Sequence, residues 1–325
     1  ELPLRLVGSE MCIRDRNRTL FGIGFMLLFC TLAPLGDALA KILGQTVALG
    51  PLIFIRFAIQ VIILAPMALA IGGSWHFSGK FLTLSAIRTV LQITGIAIMV
   101  VALQYLPLAD AVAIVFILPL LVILLGWAVL KEDVSKERLL ACVVGFVGTL
   151  MVIQPSFQEV GFYAVLPLLV AFIFAIFMLI TRFITQENDV IKVQTVNGVM
   201  AVVLIAPALL IFKDGSVPLF DFSTISSDKI ILLISFGSVG TFALLSMTWS
   251  LSYLPSATTA PLQYLEIPIV TLFGWLLFSE LPNPLASAGI VITMASGLYV
   301  MFQEQAKTAQ RPAQQRPAQD VIAAE

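Results

Sequence analysis

Four ionisable side chains lie inside long apolar runs of this sequence: Asp37, Arg56, Arg88 and Glu266. A charge in the hydrocarbon core of a bilayer is costly, so such residues usually pair with one another or bind a solute or an ion. The formal charges of the four cancel, and two acids with two bases suit a zwitterion such as an amino acid. The pattern therefore indicates a polar binding site buried between membrane-spanning helices.

Glu266 is the strongest candidate among the four, because it lies near the middle of its apolar run. It shares one helix face with Thr259 and Gln263, which precede it at i, i+4, i+7 spacing. Pro261 and Pro268 flank this stretch, and each removes a backbone donor and frees a carbonyl to meet a ligand. A carboxylate at this position could bind a cationic group or carry a coupling proton. The alternative is a structural Glu266 that is neutralised by an arginine.

A second polar face combines Arg88 with Gln92 one turn later. The guanidinium fork suits a carboxylate or a phosphate. The alternatives are an Arg88 side chain that reaches the membrane interface, or a structural pair with Glu266. Tyr264 and Thr241 are further candidates for the lining of a cavity, although aromatic and hydroxyl side chains in spans more often pack or bond within their own helix.

Two sets of charged residues are expected nearer the membrane surfaces. Asp37 and Arg56 fall in the outer parts of the first two apolar runs, where a structural ion pair extended by Lys41 is the preferred reading and an external gate the alternative. Glu132 and Glu280 end two matching runs, and we expect a conformational role for them.

The composition indicates a membrane protein. The chain has 325 residues, of which 59% are hydrophobic and only 11% charged, and its mean hydropathy is +1.03. A soluble domain of this size does not need so much apolar surface. The net charge of -1 gives no reason to expect a nucleic-acid partner. One histidine and three scattered cysteines argue against a metal site, a disulfide framework or a cofactor held by them.

Apolar runs and turn signals predict ten membrane spans. We expect them at residues 20–42, 51–71, 82–103, 108–130, 138–154, 162–183, 193–213, 228–251, 257–279 and 284–302. Lys and Arg are concentrated in the loops on one side, which the positive-inside rule assigns to the cytoplasm together with both chain termini. The lipid bilayer is therefore the expected environment of this all-α polytopic protein.

An internal repeat relates the fourth span to the ninth. Residues 103–132 align with 251–280 at a constant shift, and ten of thirty positions are identical, including Tyr, Pro, Gly, Trp and Glu. The two segments are five spans apart, so they cross the membrane in opposite directions. Repeats of this kind are typical of secondary transporters, whose site lies where two inverted halves meet.

The paired segments carry a family resemblance. YLPLADAVAIVFILPLLVILLGWAVLKE (Tyr105–Glu132) and YLPSATTAPLQYLEIPIVTLFGWLLFSE (Tyr253–Glu280) resemble the duplicated signature of EamA-type members of the drug/metabolite transporter superfamily. The resemblance covers about residues 20 to 302. It implies ten helices in two inverted five-helix repeats and the transport of small metabolites, and it does not define the substrate.

The resemblance also divides the chain into expected segments. Residues 17–154 are the first repeat and 155–302 the second, and residues 303–325 are a disordered cytoplasmic tail that repeats QRPAQ. We interpret residues 1–16 as a sequencing-adapter artefact, because the stretch from Leu6 to Arg16 looks like translated adapter sequence.

We therefore expect a secondary transporter in a bacterial cytoplasmic membrane that is not an enzyme and acts as a monomer or homodimer. Its substrate would be a small polar or amphipathic metabolite, amino-acid-like or drug-like, moved by alternating access. Export driven by proton coupling or exchange is the leading reading. An importer of the same fold is the alternative, and an intramembrane lipid-modifying enzyme is the alternative from another class. No G-x-x-x-x-G-K-[ST] run is present, so direct use of ATP is not expected.

Overall fold

Helices account for the regular structure of the protein. The computed structural model describes residues 3–72, 78–118, 120–121, 125, 136–185, 188–212, 217–253, 263 and 265–310, and these residues form no β-strand. Helices are the expected outcome for apolar runs in lipid, because each helix satisfies its own backbone hydrogen bonds. The α-helices are α1 Pro3–Gly44, α2 Leu49–Ile71, α3 Gly79–Tyr105, α4 Leu108–Val115, α5 Lys136–Val160, α6 Leu166–Thr185, α7 Val190–Ile211, α8 Ile230–Tyr253, α9 Glu266–Phe278 and α10 Pro284–Gln310.

Six helical segments are long and apolar enough to cross a bilayer within the described parts of the chain. They are Leu20–Gly44, Leu49–Ile71, Gly79–Tyr105, Phe157–Thr185, Val190–Ile211 and Ser227–Ser250. Three shorter apolar helical segments accompany them at Val143–Ile153, Glu266–Phe278 and Pro284–Ser296. The architecture is that of a polytopic α-helical membrane protein, as the apolar runs predict.

Two helices are interrupted where the sequence predicts continuous spans. α4 ends at Val115 and is followed by a turn at Phe116 and Ile117, although the predicted span runs from 108 to 130. α9 begins only at Glu266, directly after a turn at Leu265, although its predicted span begins at 257. Ile117 and Leu265 occupy equivalent positions in the internal repeat, so both copies bend the backbone at the same point.

Three helix ends differ from the predicted boundaries. α1 begins at Pro3, so the segment interpreted as an adapter artefact continues the helix. α5 passes through Pro155, which was expected to end it, and stops before Gly161, whose φ is +65°. α10 extends to Gln310 rather than 302, because the start of the expected disordered tail is rich in Gln, Glu, Ala and Lys, which favour helices.

The most extensive helix packing joins the two parts of the sequence. α1 packs against α8, α2 against α7, α3 against α6, and α5 against α10. The contact between α5 and α10 depends on glycine: a Cβ atom at Gly148 would lie 2.6 Å from Oγ1 of Thr293, and one at Gly289 would lie 2.9 Å from Cγ2 of Val152. This packing encloses a central space between α1, α2, α3, α4, α6, α8 and the start of α9.

Candidate functional site

A cavity of about 230 Å³ lies at the centre of the helix bundle. Its wall is mainly apolar, with five phenylalanines, Phe29, Phe116, Phe174, Phe177 and Phe236, and three methionines, Met99, Met178 and Met247. Its polar lining residues are Asp37, Arg56, Gln92, Gln263 and Glu266. All five polar residues were predicted as site residues, and they come from helices that lie far apart in the sequence. An apolar cavity with a few converging polar groups is the usual form of a small-molecule site.

Three charged side chains face this cavity. Arg56 of α2 is 9% exposed and Glu266 of α9 is 8% exposed, while Asp37 of α1 is half-buried. Asp37 attracts Arg56 and repels Glu266, yet neither acid comes within 4.0 Å of the guanidinium. The expected compact ion pair between Asp37 and Arg56 is therefore replaced by separated charges around an open space.

Arg56 is held mainly by packing. Its guanidinium carbon lies 5.3 Å from the ring centre of Phe57 and 5.7 Å from that of Phe236. Gly240 of α8 makes room for it, because a Cβ atom there would lie 2.8 Å from Nη2. The Nη1 atom is buried and has no hydrogen-bond partner among the described residues. An unpaired buried donor on a guanidinium is costly, and the Arg56 side chain also lines the cavity.

Glu266 lies in the first turn of α9, where the helix restarts after the turn at Leu265. The start of a helix presents unpaired backbone N–H groups and the positive end of the helix dipole, which stabilise a negative group. Gln263 lies just before the turn and also lines the cavity. Thr259 and Tyr264, the other residues predicted for this face, lie outside the described residues.

Arg88 does not line the cavity, contrary to its predicted role. It is 0% exposed, and its Nε donates to Oγ1 of Thr181 at 2.7 Å while its Nη2 donates to Oε1 of Gln194 at 3.3 Å. Its guanidinium carbon lies 4.5 Å from the ring centre of Phe177, which does line the cavity. These contacts also disagree with the two alternatives predicted for Arg88. It forms no ion pair with Glu266, and its side chain is buried rather than extended to the membrane interface.

Two separate sets of side-chain hydrogen bonds lie beside this buried arginine, one through Gln194 and one through Asn197. The side-chain amide of Gln194 also donates from Nε2 to Oγ1 of Thr248 at 2.9 Å. One turn further along α7, Asn197 donates from Nδ2 to Oε1 of Gln92 at 2.6 Å. Gln92 faces the cavity, so its orientation is fixed from behind by Asn197.

Thr241, the remaining predicted residue, is not part of the lining. Its hydroxyl is buried and donates to the carbonyl of Gly237 one turn earlier at 2.7 Å. Threonine hydroxyls inside membrane helices commonly bond the preceding turn in this way, which was the alternative predicted for Thr241. Its neighbour Gly240 faces the cavity instead.

An ion pair joins the end of α1 to the chain just after α9, next to the cavity-lining Ala40. Nζ of Lys41, at the end of α1, lies 2.7 Å and 2.6 Å from the two carboxylate oxygens of Glu280 and donates to the carbonyl of Leu106 at 2.9 Å. The backbone N–H of Leu108 donates to the same carboxylate at 3.1 Å. Ser279, with φ of 57°, ends α9 and directs the chain into Glu280. Lys41 is thus joined to Glu280 rather than to Asp37.

Several of these residues were missed by the sequence reading. Gln194 and Asn197 are amides inside a predicted span, and polar side chains at such positions commonly bond neighbouring helices. That signal was available, whereas the particular partners, Arg88 for Gln194 and Gln92 for Asn197, depend on which helices meet. The described residues hold no group of three or more His, Cys, Asp or Glu side chains that could bind a metal ion.

Similar proteins are bacterial transporters. The S-adenosylmethionine uptake transporter of Rickettsia prowazekii is 24% identical over 284 residues, covering 87% of this chain and 93% of that protein. The riboflavin transporter of Brucella anthropi is 25% identical over 251 residues, covering 77% and 87%. The pseudopaline exporter of Pseudomonas aeruginosa is 25% identical over 261 residues, covering 80% and 88%. These relatives are named as transporters of small molecules, which removes the intramembrane enzyme as an alternative.

A solved crystal structure supports the same fold. It covers 91% of this chain and 99% of its own, with a TM-score of 0.58 at 16% sequence identity. The model of the EamA-like transporter family matches residues 20–154 and again residues 161–302, which together span most of the chain. With its apolar helices, its duplicated signature and this double match, the chain belongs to the EamA-like transporter family.

Proposed function

We propose that this protein is a secondary active transporter that moves a small polar or amphipathic metabolite across the bacterial cytoplasmic membrane by alternating access. The observation that carries the proposal is the central cavity, whose five polar residues come from both parts of the sequence. Substrate sites of inverted-repeat transporters lie between the repeats at mid-membrane depth, beside interrupted helices. The turn at Leu265 and the start of α9 at Glu266 fit that arrangement.

The proposed architecture is ten spans in two inverted five-helix halves, 17–154 and 155–302, with both termini in the cytoplasm. Two observations support it. The family model matches twice, and the helix breaks at Ile117 and Leu265 fall at equivalent repeat positions. Halves that share a fold but face opposite ways can rock between two states that are related by a pseudo-two-fold axis in the membrane plane, which opens the cavity to one side at a time.

Within this cycle Glu266 is the proposed coupling residue, with Asp37 and Arg56 as its electrostatic partners. A carboxylate that faces an apolar cavity is favoured when a proton or a cationic group compensates its charge. Gln92 and Gln263 would supply neutral hydrogen bonds to the solute. The transport mode proposed here is proton-coupled exchange, with export as the net direction. Uptake is the second candidate, because the Rickettsia relatives are named for uptake.

Transport into proteoliposomes tests the proposal. The purified protein is reconstituted with an imposed pH gradient, and the entry of labelled S-adenosylmethionine, riboflavin and a set of amino acids is followed together with internal pH. We expect one solute class to enter with simultaneous proton movement in the opposite direction. Glu266→Gln should abolish the proton movement, whereas Glu159→Gln, an exposed acid on α5, should not.

Two results would contradict the proposal in different ways. Full gradient-driven flux in Glu266→Gln would remove Glu266 from the coupling role while leaving the transport function intact. Absence of gradient-driven flux for every solute tested, with protein that is folded by thermal unfolding, would contradict the transport function itself. Orientation of the protein in the vesicles, read from the side on which the C-terminal tail is cleaved by protease, assigns the direction.

A further inference from the structure

The charges that the described residues present to the central cavity do not balance. Among these lining residues the charged side chains are Asp37, Arg56 and Glu266, so negative charge exceeds positive charge by one. Arg88 would balance these charges if it lined the cavity. It lies against the ring of Phe177 instead and is hydrogen-bonded to the uncharged side chains of Thr181 and Gln194. An unbalanced charge inside a membrane protein is unfavourable, and an occupant with one net positive charge would remove the imbalance.

The geometry also offers separate places for a negative and a positive group of such an occupant. Arg56 lines the cavity, its Nη1 is a buried donor that finds no partner in the described part of the chain, and a guanidinium prefers a carboxylate as its acceptor. Asp37 and Glu266, on α1 and α9, repel each other and stay more than 4.0 Å from Arg56. A cationic group between the two acids would relieve that repulsion.

The apolar part of the wall suits a particular kind of cation. The cavity presents five phenylalanine rings and three methionines, and ring faces attract cations that are only weakly hydrated. Sulfonium and quaternary ammonium groups are of this type. Because the cavity of about 230 Å³ lies just below the usual range of roughly 300–1,000 Å³ for ligand sites, the occupant should be compact.

On these grounds we propose that the substrates are compact amino-acid-like cations that carry one carboxylate, one ammonium and one further onium group. The carboxylate binds Arg56, and the cationic groups lie between Asp37 and Glu266. In the empty site a proton compensates the same two acids, so each substrate that enters displaces one proton. This inference deepens the proposed transport function and depends on it.

Binding measurements with matched pairs of compounds test the charge class. S-adenosylmethionine and S-adenosylhomocysteine differ by one methyl group and one positive charge, and S-methylmethionine and methionine differ in the same way. Calorimetry on the detergent-solubilised protein should give at least about tenfold tighter binding of the cation in at least one pair, which is the effect of roughly one charge-assisted contact. Glu266→Gln should reduce this preference, and Asp228→Asn, an exposed acid between α7 and α8, should leave it unchanged.

The proton prediction has its own readout. In weakly buffered solution, an indicator dye should report about one proton released per cation bound, and cation affinity should rise about tenfold per pH unit in the range where the acids bind that proton. Arg56→Gln should weaken both members of the preferred pair alike, because both carry the carboxylate.

The results separate this inference from the proposed function. Equal affinity for cation and neutral compound in both pairs, or no binding of either pair, overturns the substrate class. Cation binding without proton release overturns the exchange step. If the protein nevertheless carries riboflavin or another uncharged solute into proteoliposomes, its proposed function as a transporter is supported, and the proposed preference for cationic substrates is contradicted.

Discussion

The ion pair between Lys41 and Glu280 makes a sharp prediction about access to the cavity. The Lys41 side chain is 6% exposed and the Glu280 side chain 31% exposed. Breaking a fully buried pair costs roughly 3–5 kcal/mol, and an exposed pair contributes roughly 0–1 kcal/mol. Because Glu280 is partly exposed, we expect Lys41→Met to remove about 2 kcal/mol of interaction free energy. This corresponds to an about 30-fold change in the equilibrium between closed and open states. If the pair holds this end of the bundle closed, the open population rises by that factor.

Thiol labelling measures this opening. Ala40 lines the cavity next to Lys41, so Ala40→Cys in a variant without the native cysteines reports when a membrane-impermeant maleimide can enter. We expect labelling about 30-fold faster in Lys41→Met, provided that opening and closing are fast relative to the reaction. Lys229→Met is the matched control, because Lys229 is bonded only to the carbonyls of Thr46 and Thr224 at 3.3 and 3.4 Å among the described contacts.

A double-mutant cycle distinguishes the ion pair from a general loosening of the helix ends. If Lys41 and Glu280 act through each other, Lys41→Met combined with Glu280→Gln should label no faster than Lys41→Met alone. Additive effects of the two substitutions would refute this reasoning. So would an unchanged rate in Lys41→Met, because the closure would then not depend on the charge.

Three further predictions concern packing and the site. Gly289→Ala should destabilise the protein by about 1–3 kcal/mol in detergent, read as a lower unfolding temperature, because its Cβ atom would meet the facing helix α5, whereas Gly24→Ala has open space and should be nearly neutral. Gly240→Ala should weaken carboxylate binding about tenfold in calorimetry by displacing the adjacent guanidinium of Arg56, while Gly24→Ala, which has open space and is not among the lining residues, should not. Gln194→Leu should cost about 2–4 kcal/mol, because the buried guanidinium of Arg88 keeps Thr181 but loses its other acceptor, and an unchanged unfolding temperature would contradict that role.

The positions of the membrane helices follow from the sequence because lipid imposes a simple rule. An apolar run in a bilayer must satisfy its backbone internally, so α2, α3 and α7 begin and end within a few residues of the predicted spans. The interruptions at Phe116 and Leu265 were not predicted, because apolar side chains of this kind occur equally in continuous helices. Pro261 and Pro268 pointed to weakened backbone in this region without locating the turn.

The sequence predicted which residue types form the site. It was less successful in predicting which side chains pair with each other. Intramembrane charge identified Asp37, Arg56 and Glu266, and all three face one cavity. The sequence predicted Asp37, one turn away, as the partner of Lys41. In the structure its partner is Glu280, which lies 239 positions later in the chain. Sequence proximity favours local pairs, and only the packing of α1 against α9 brings the distant carboxylate closer.

The way in which the helices pair has a consequence for biogenesis. α1, α2, α3 and α5 each have their most extensive contact with a helix that is synthesised later, with at least 60 residues between the two helices (Tyr105 to Leu166 for α3 and α6, the smallest separation). During translation the early helices enter the bilayer with charged and amide-bearing faces still lacking their partners, Arg88 before Gln194 among them. We therefore expect the early helices to reach their final packing only after the later helices have entered the bilayer.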